Sequence, residues 1–199
     1  MNIVLEKPLI LASASPRRRE LLHLLDVPFT SLVSGADEHL PGAASLSPTA
    51  LVQRLAQCKA NAVLPLVQEP SLLVGADTVV ALNGRVLGKP ADEADAAGML
   101  RALSGRTHEV YTGLCLLDTD TKKSALCAER TVVHFAPMSE ADIAAYVATG
   151  EPMDKAGAYA IQGKCAPFIE RIEGCYYNVM GLPLFRLRQM LLEFSGKTV

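Results

Sequence analysis

Residues 72–82 read Leu72-Leu73-Val74-Gly75-Ala76-Asp77-Thr78-Val79-Val80-Ala81-Leu82, an apolar run interrupted by one carboxylate. A short apolar run of this kind, bounded by a turn signal, predicts a single buried strand. Asn83-Gly84 follows at once and favours a type I′ hairpin turn into Arg85-Val86-Leu87. Asp77 is the oddity. Burying an unpaired polar group costs about 2–7 kcal/mol, and an ionised carboxylate costs more. A strand that keeps one either ties it into a structural hydrogen-bond network or uses it to hold a cation or a water.

On the N-terminal side, residues 8–12 form a short apolar strand that runs straight into Ser13-Ala14-Ser15-Pro16 and a helix. Ser15 suits the N-cap, Pro16 the first helical position, and Leu21, Leu22, Leu24 and Leu25 supply a buried stripe. Residues 29–33 make a second strand, which ends in the acidic turn Gly35-Ala36-Asp37-Glu38. Ser47-Pro48 opens a helix to about Leu64. On the C-terminal side, Asp92 starts a helix through Leu103 that Gly105 stops. Residues 107–117 and 126–136 then read as a long antiparallel pair around the polar turn 118–123. Ser139 and Asp142 cap a further helix ending at Gly150, with Asp in place of the usual Glu or Gln of a capping box. A loop leads to Phe168-Ile169-Glu170-Arg171-Ile172, and Pro183 opens an amphipathic helix with Leu184, Leu187, Leu191 and Phe194 inward. Strands alternating with helices around a central antiparallel hairpin give an α/β fold with a mixed twisted sheet, and residues 1–199 fit one domain or two small lobes.

With 199 residues, half of them hydrophobic, the chain can bury a substantial core. No apolar run is long enough to span a membrane, and residues 1–7 lack the apolar region of a signal peptide, so a cytoplasmic protein is expected. The five cysteines are scattered with no CxxC pair, which predicts reduced core residues without a zinc site or disulfides. A net charge of −2 argues against binding a nucleic-acid polymer, so an anionic ligand must be caught by a local cluster.

Such a cluster stands at Ser13-Ala14-Ser15-Pro16-Arg17-Arg18-Arg19. Backbone N–H groups and the positive dipole end of a helix N-terminus attract anions. Arginines there oppose the dipole, a conflict that a bound phosphate removes, and arginine grips phosphate bidentately. Successive residues point about 100° apart around a helix, so the three cannot all face one ligand; a solvated basic patch is the plainer reading. Lys59 falls within the apolar arc of its helix, beside Leu51, Leu55, Cys58 and Ala62; it either snorkels to solvent or points into a buried cleft. Lys89 lies in Gly88-Lys89-Pro90 after the hairpin, where most lysines are merely solvated. Glu38 with Asp37 is a loop carboxylate pair, and Glu38 with Asp77 suits Mg²⁺, which takes one or two carboxylates beside substrate phosphates. The segments 154–163 and 174–183 are rich in small residues that permit close backbone approach, and the Gln162 amide can read a base edge. The plainer alternative for both is a pair of tight connections. His108 and His134 read as strand residues, not ligands.

In order along the chain, Leu11-Ala12-Ser13-Ala14-Ser15-Pro16-Arg17-Arg18, Asp37-Glu38, Lys59, Gly75-Ala76-Asp77-Thr78, Gly88-Lys89-Pro90, Tyr111-Thr112-Gly113, Ala156–Gly163 and Gly181-Leu182-Pro183 resemble the Maf family of nucleoside triphosphate pyrophosphatases. The resemblance implies two lobes around a central cleft, similar to inosine triphosphate pyrophosphatases. It implies hydrolysis of a nucleoside triphosphate to the monophosphate and pyrophosphate with a divalent metal, Mg²⁺ or Mn²⁺, in a homodimer; some members are linked to septum formation. Carried onto this sequence, it makes Asp77, Lys59, Lys89 and Arg18 catalytic. Ser13, Arg17, Thr78 and Gln162 bind substrate, and Glu38 with Asp77 holds the metal. Arg17, Thr78 and Gln162 match the branch similar to dTTP/UTP pyrophosphatases, which accepts dTTP, UTP and modified pyrimidine nucleotides. The alternatives are the sister branch resembling a 7-methyl-GTP pyrophosphatase, and a non-catalytic nucleotide sensor regulating septation.

Overall fold

A computed structural model describes residues 3–33 and 42–195. Strands β1 (Leu9–Ala12), β2 (Phe29–Leu32), β3 (Leu72–Leu82), β4 (Arg85–Leu87), β5 (Thr107–Asp118), β6 (Ser124–Phe135) and β7 (Ile169–Glu173) belong to one sheet. Its order is β2-β1-β3-β5-β6-β7, with β4 paired to β3 off that path. The α-helices are α1 (Pro16–His23), α2 (Pro48–Val63), α3 (Glu93–Leu103), α4 (Glu140–Val147), α5 (Tyr176–Met180) and α6 (Leu184–Phe194). The expected mixed α/β architecture is therefore present. Parallel pairs β1–β2 and β1–β3 coexist with antiparallel pairs β3–β4 and β6–β7. No helix among the described residues is long and apolar enough to cross a membrane.

The chain divides into two compact units: Met1–Asp77, Thr112–Glu129 and Gly181–Val199 form one, Thr78–Tyr111 and Arg130–Met180 the other. Strands β3, β5 and β6 each contribute to both, and the boundary in β3 falls between Asp77 and Thr78.

In the first unit, β1 aligns Leu9 with Leu72 and Ala12 with Gly75. The α2 helix buries Ala56, Ala60 and Val63 against Ile10, Leu73, Cys115 and Leu117. Two glycines set how close this helix comes. A Cβ on Gly75 would stand 2.1 Å from the Ala56 carbonyl oxygen, and one on Gly113 would stand 2.1 Å from that of Val52. Neither obstacle is a movable side chain, so the helix backbone itself rests on the strands. The buried face of α2 is accordingly Val52, Leu55, Ala56, Ala60 and Val63. Leu51, Cys58 and Ala62, expected near its centre, are only half-buried.

The α1 stripe also differs from expectation. Leu21 and Leu22 are buried, but Leu24 is 62% exposed, because the helix ends at His23. Its last turn tightens, with Leu24 N–H bonded to Leu21 and Leu25 N–H to Leu22, and Asp26 at φ 53 turns the chain inward to the buried Val27. In α6, Met190 and Leu192 join Leu184, Leu187 and Leu191 in the core, while Phe194 is only half-buried.

In the second unit, the Asn83-Gly84 turn forms as read, with both residues at positive φ (51 and 77). Leu100 and Leu103 of α3 and Ile143, Tyr146 and Val147 of α4 pack with Val110, Val133 and Phe135, and with Ala158, Tyr159 and Ile161 of the long loop. The Ser139–Asp142 capping box is complete in both directions. The short helix α5 stands where the sequence reads as a connection; Asn178 fixes it, its side-chain amide donating to the Val110 carbonyl (3.0 Å) and to Thr131 Oγ1 (2.9 Å). Disulfides are absent among the described residues, with all five cysteines free.

His108 is buried in this core, with Nε2 2.7 Å from the Tyr159 hydroxyl and Nδ1 without a partner. Burial, aided by His134, pulls its pKa from 6.5 down to about 4.

Substituting Gly113→Ala should force α2 off the sheet and cost about 3 kcal/mol, read as a lower denaturation midpoint. The His108 contribution to stability is full above its unfolded pKa and is lost as pH falls toward the folded one, by up to about 1.4 kcal/mol per pH unit. Denaturation curves between pH 6.5 and 4 should show this slope, and His108→Gln should flatten it.

Candidate active site

The β1-to-α1 turn builds an arginine clamp within the first unit. Ser15 caps α1 through Oγ, which accepts from the Arg18 N–H at 3.4 Å, and Pro16 takes the first helical position. Ser13 is buried, and its Oγ accepts from Ser15 N–H (3.2 Å) and from Arg18 Nη1 (3.4 Å). The Arg18 Nε donates to the Gly181 carbonyl at 2.9 Å. Arg18 is thereby fixed across the turn, while Arg17 is half-buried and Arg19 exposed. The first turn of α1 contains no acidic residue.

The buried carboxylate has a partner. Lys59 Nζ lies 2.5 Å from Asp77 Oδ1, and each side chain is only 12% exposed. Lys59 does not snorkel outward. The close seating of α2 on Gly75 and Gly113 places its stem alongside β3, so the ammonium meets the carboxylate instead of water. Because Gly75 is the register partner of Ala12, β1 ends two residues short of the level of Asp77, which stands mid-way along β3, and Ser13 follows at once.

In the second unit, Thr78 is half-buried on β3 directly after Asp77, and Lys89 is exposed two residues past Leu87, whose register partner is Val80. The Gly88 carbonyl accepts from the Gly157 N–H at 2.9 Å, which ties the Lys89 segment to the loop that carries Gln162. Gly157 has φ 68, and a Cβ there would come within 3.0 Å of Val80. Only glycine allows that turn to lie against β3. Gln162 is exposed in the turn that follows the buried Tyr159 and Ile161.

Asp37 and Glu38 lie outside the described residues. Among the described residues, no three His, Cys, Asp or Glu side chains gather in a group able to hold a metal. A closed all-protein cage is therefore not built there. Asp77 still fits a cation that takes one or two carboxylates and fills its other positions with phosphate oxygens and water.

Sequence reasoning missed three contributors. Gly181 was read as a point of ligand approach, yet its carbonyl holds Arg18. Tyr146 and Glu151 went unnoticed, although both bond to the backbone beside Gln162. A tyrosine on the inner face of α4 and an acid at the start of a turn carry no distinguishing local signal.

The family described as Maf-like protein matches residues 8–194. The chain belongs to this Maf family. It is 54% identical over 189 residues to the dTTP/UTP pyrophosphatase of Pelotomaculum thermopropionicum, covering 95% of this chain and 97% of that one. It is 50% identical over 190 residues to the dTTP/UTP pyrophosphatase of Bacillus cytotoxicus, covering 96% and 97%. Among solved structures, a nucleoside-triphosphatase / dITP/XTP pyrophosphatase from Mycobacterium abscessus overlaps with a TM-score of 0.45 at 20% identity, over 66% of this Maf chain and 75% of that one.

Replacing Lys59 with Met should leave the Asp77 carboxylate buried and alone, costing about 3 kcal/mol. Lys59→Met combined with Asp77→Asn should recover a large part of that loss, so that a double-mutant cycle by chemical denaturation shows strong coupling.

Proposed function

We propose that this Maf protein hydrolyses pyrimidine nucleoside triphosphates, dTTP and UTP, to the monophosphate and pyrophosphate. Near-complete coverage of two pyrophosphatases of that name at half identity or better supports the reading. The observation that carries the chemistry is the buried Asp77 held by Lys59.

The role of each residue follows from its surroundings. The Ser13 hydroxyl and the Arg17 and Arg18 guanidiniums receive phosphate oxygens at the α1 N-terminus, where the helix dipole favours negative charge. Asp77 orients a water, whose oxygen attacks the α-phosphorus, and accepts its proton on a carboxylate oxygen. The bond from the α-phosphorus to the oxygen bridging it to the β-phosphorus breaks, and pyrophosphate leaves with both electrons of that bond. Lys59 fixes the Asp77 rotamer and adds positive charge beside the reacting centre. Lys89 offsets the charge growing on the departing pyrophosphate, the electrostatic task that dominates phosphoryl transfer. Asp77 and Glu38 would hold a divalent cation such as Mg²⁺ or Mn²⁺, which would supply further charge neutralisation. Thr78 and Gln162 choose the base.

Incubating the purified protein with dTTP or UTP and Mg²⁺ should release pyrophosphate, and Asp77→Asn should lower kcat by about 10³-fold. Retained circular dichroism and melting behaviour would separate this from unfolding. A variant within a few-fold of the parent kcat would remove Asp77 from the chemistry, and failure to form pyrophosphate from either nucleotide would remove the activity itself.

A further inference from the structure

The turn that carries Gln162 is suspended from two side chains that the reaction above does not use. The Ala160 N–H donates to the Tyr146 hydroxyl at 3.1 Å, and that hydroxyl donates to Glu151 Oε1 at 2.8 Å. The same carboxylate accepts from the Lys164 N–H, at 3.1 Å to Oε1 and 3.2 Å to Oε2. The Tyr146–Glu151 pair therefore grips the backbone two residues before and two residues after Gln162.

The arrangement is specific in three ways. Tyr146 is buried on α4, and its hydroxyl has both its donor and its acceptor role filled. Burial pushes its ionisation far upward, so it stays protonated and keeps donating across the neutral range. A Cβ on Gly163 would stand 2.2 Å from Glu151 Oε1, so the absence of a side chain there lets the carboxylate reach the turn. The turn also closes without help: Gly163 N–H bonds to the Ala160 carbonyl at 3.1 Å, and Ala166 N–H to that of Gly163 at 3.0 Å. The side-chain pair thus adds placement relative to α4, not closure of the turn.

We propose that Tyr146 and Glu151 are positioning residues that fix the Gln162 turn for base selection, an inference that rests on Gln162 being the base reader. A glutamine amide discriminates bases only if its oxygen and nitrogen are held in place, and a displacement of about 1 Å is enough to cost up to a hundredfold. Gln162 itself is exposed, between the buried Ile161 and Cys165, so its backbone is held by its neighbours and by the bonds made to them. The Tyr146 hydroxyl and the Glu151 carboxylate it donates to add one anchor on each side.

The test measures pyrophosphate release from dTTP, UTP and dATP by the full chain carrying Glu151→Ala, Glu151→Gln, Tyr146→Phe, Gln162→Ala, and Glu151→Ala with Gln162→Ala. Glu151→Ala should lower kcat/KM for dTTP and UTP about tenfold, chiefly through KM, while dATP turnover changes little. Glu151→Gln should recover part of the loss, because its amide oxygen can still accept one of the two bonds. Adding Glu151→Ala to Gln162→Ala should cause no further loss of selectivity, since both act through one side chain. If Gln162→Ala leaves the base preference unchanged, Gln162 is not the reader, and the role assigned to the pair falls with it. If Gln162→Ala alters the preference and Glu151→Ala does not, or their effects add, the positioning role alone is overturned. Equal loss of kcat on all three nucleotides would also overturn it, since that is what general loosening of the fold produces. Should Glu151→Ala not fold, Tyr146→Phe removes a single oxygen and is read by the same criteria.

Discussion

The contact between Lys59 Nζ and Asp77 Oδ1, 2.5 Å long and almost sealed from solvent, is what the rest of the first unit is arranged around. An ionised carboxylate in a central strand is tolerable only with a cation beside it. Bringing a lysine from a helix to that depth requires the helix to sit unusually close, which Gly75 and Gly113 permit by presenting no side chain to the α2 backbone. Small residues and a buried charge are thus two halves of one requirement. A pair of this kind contributes little net stability against well-packed apolar residues of equal volume. Its retention is more readily explained by chemistry than by folding.

The same economy appears at the α1 N-terminus. Arginines in a first helical turn work against the dipole, and nothing acidic in that turn compensates them. Arg18 is restrained through Ser13 Oγ, which accepts from its Nη1, and the Gly181 carbonyl, which accepts from its Nε. A guanidinium oriented in advance in this way stabilises a phosphate with little reorganisation.

In the second unit the emphasis shifts from charge to placement. The loop 154–163 is tied to the Lys89 segment through Gly157 and Gly88, seated on Val80 by the left-handed Gly157, and hung from Tyr146 and Glu151 around Gln162. Behind it the buried His108–Tyr159 bond fixes the aromatic end of the same loop. Glycines let the backbone approach the strand, and polar side chains hold it there.

Patterns with a short reach were legible in the sequence. The Asn83-Gly84 turn, the Ser15 and Ser139 caps, the helix starts at Ser47-Pro48 and Asp92, and the apolar run around Asp77 each depend on a few neighbouring residues, and each is present in the structure. The ordered set of motifs was enough to identify the Maf family. What the sequence left open were contacts between distant residues. Whether Lys59 snorkels or turns inward, where Arg18 donates and which side chains anchor the Gln162 turn all depend on which backbones pack together, as does the exposure of Leu24, which the apolar stripe of α1 wrongly predicts as buried. Local periodicity specifies which face of an element is apolar, but only tertiary packing determines what that face meets, because a buried charge or a free N–H takes whichever partner the fold brings within about 3 Å.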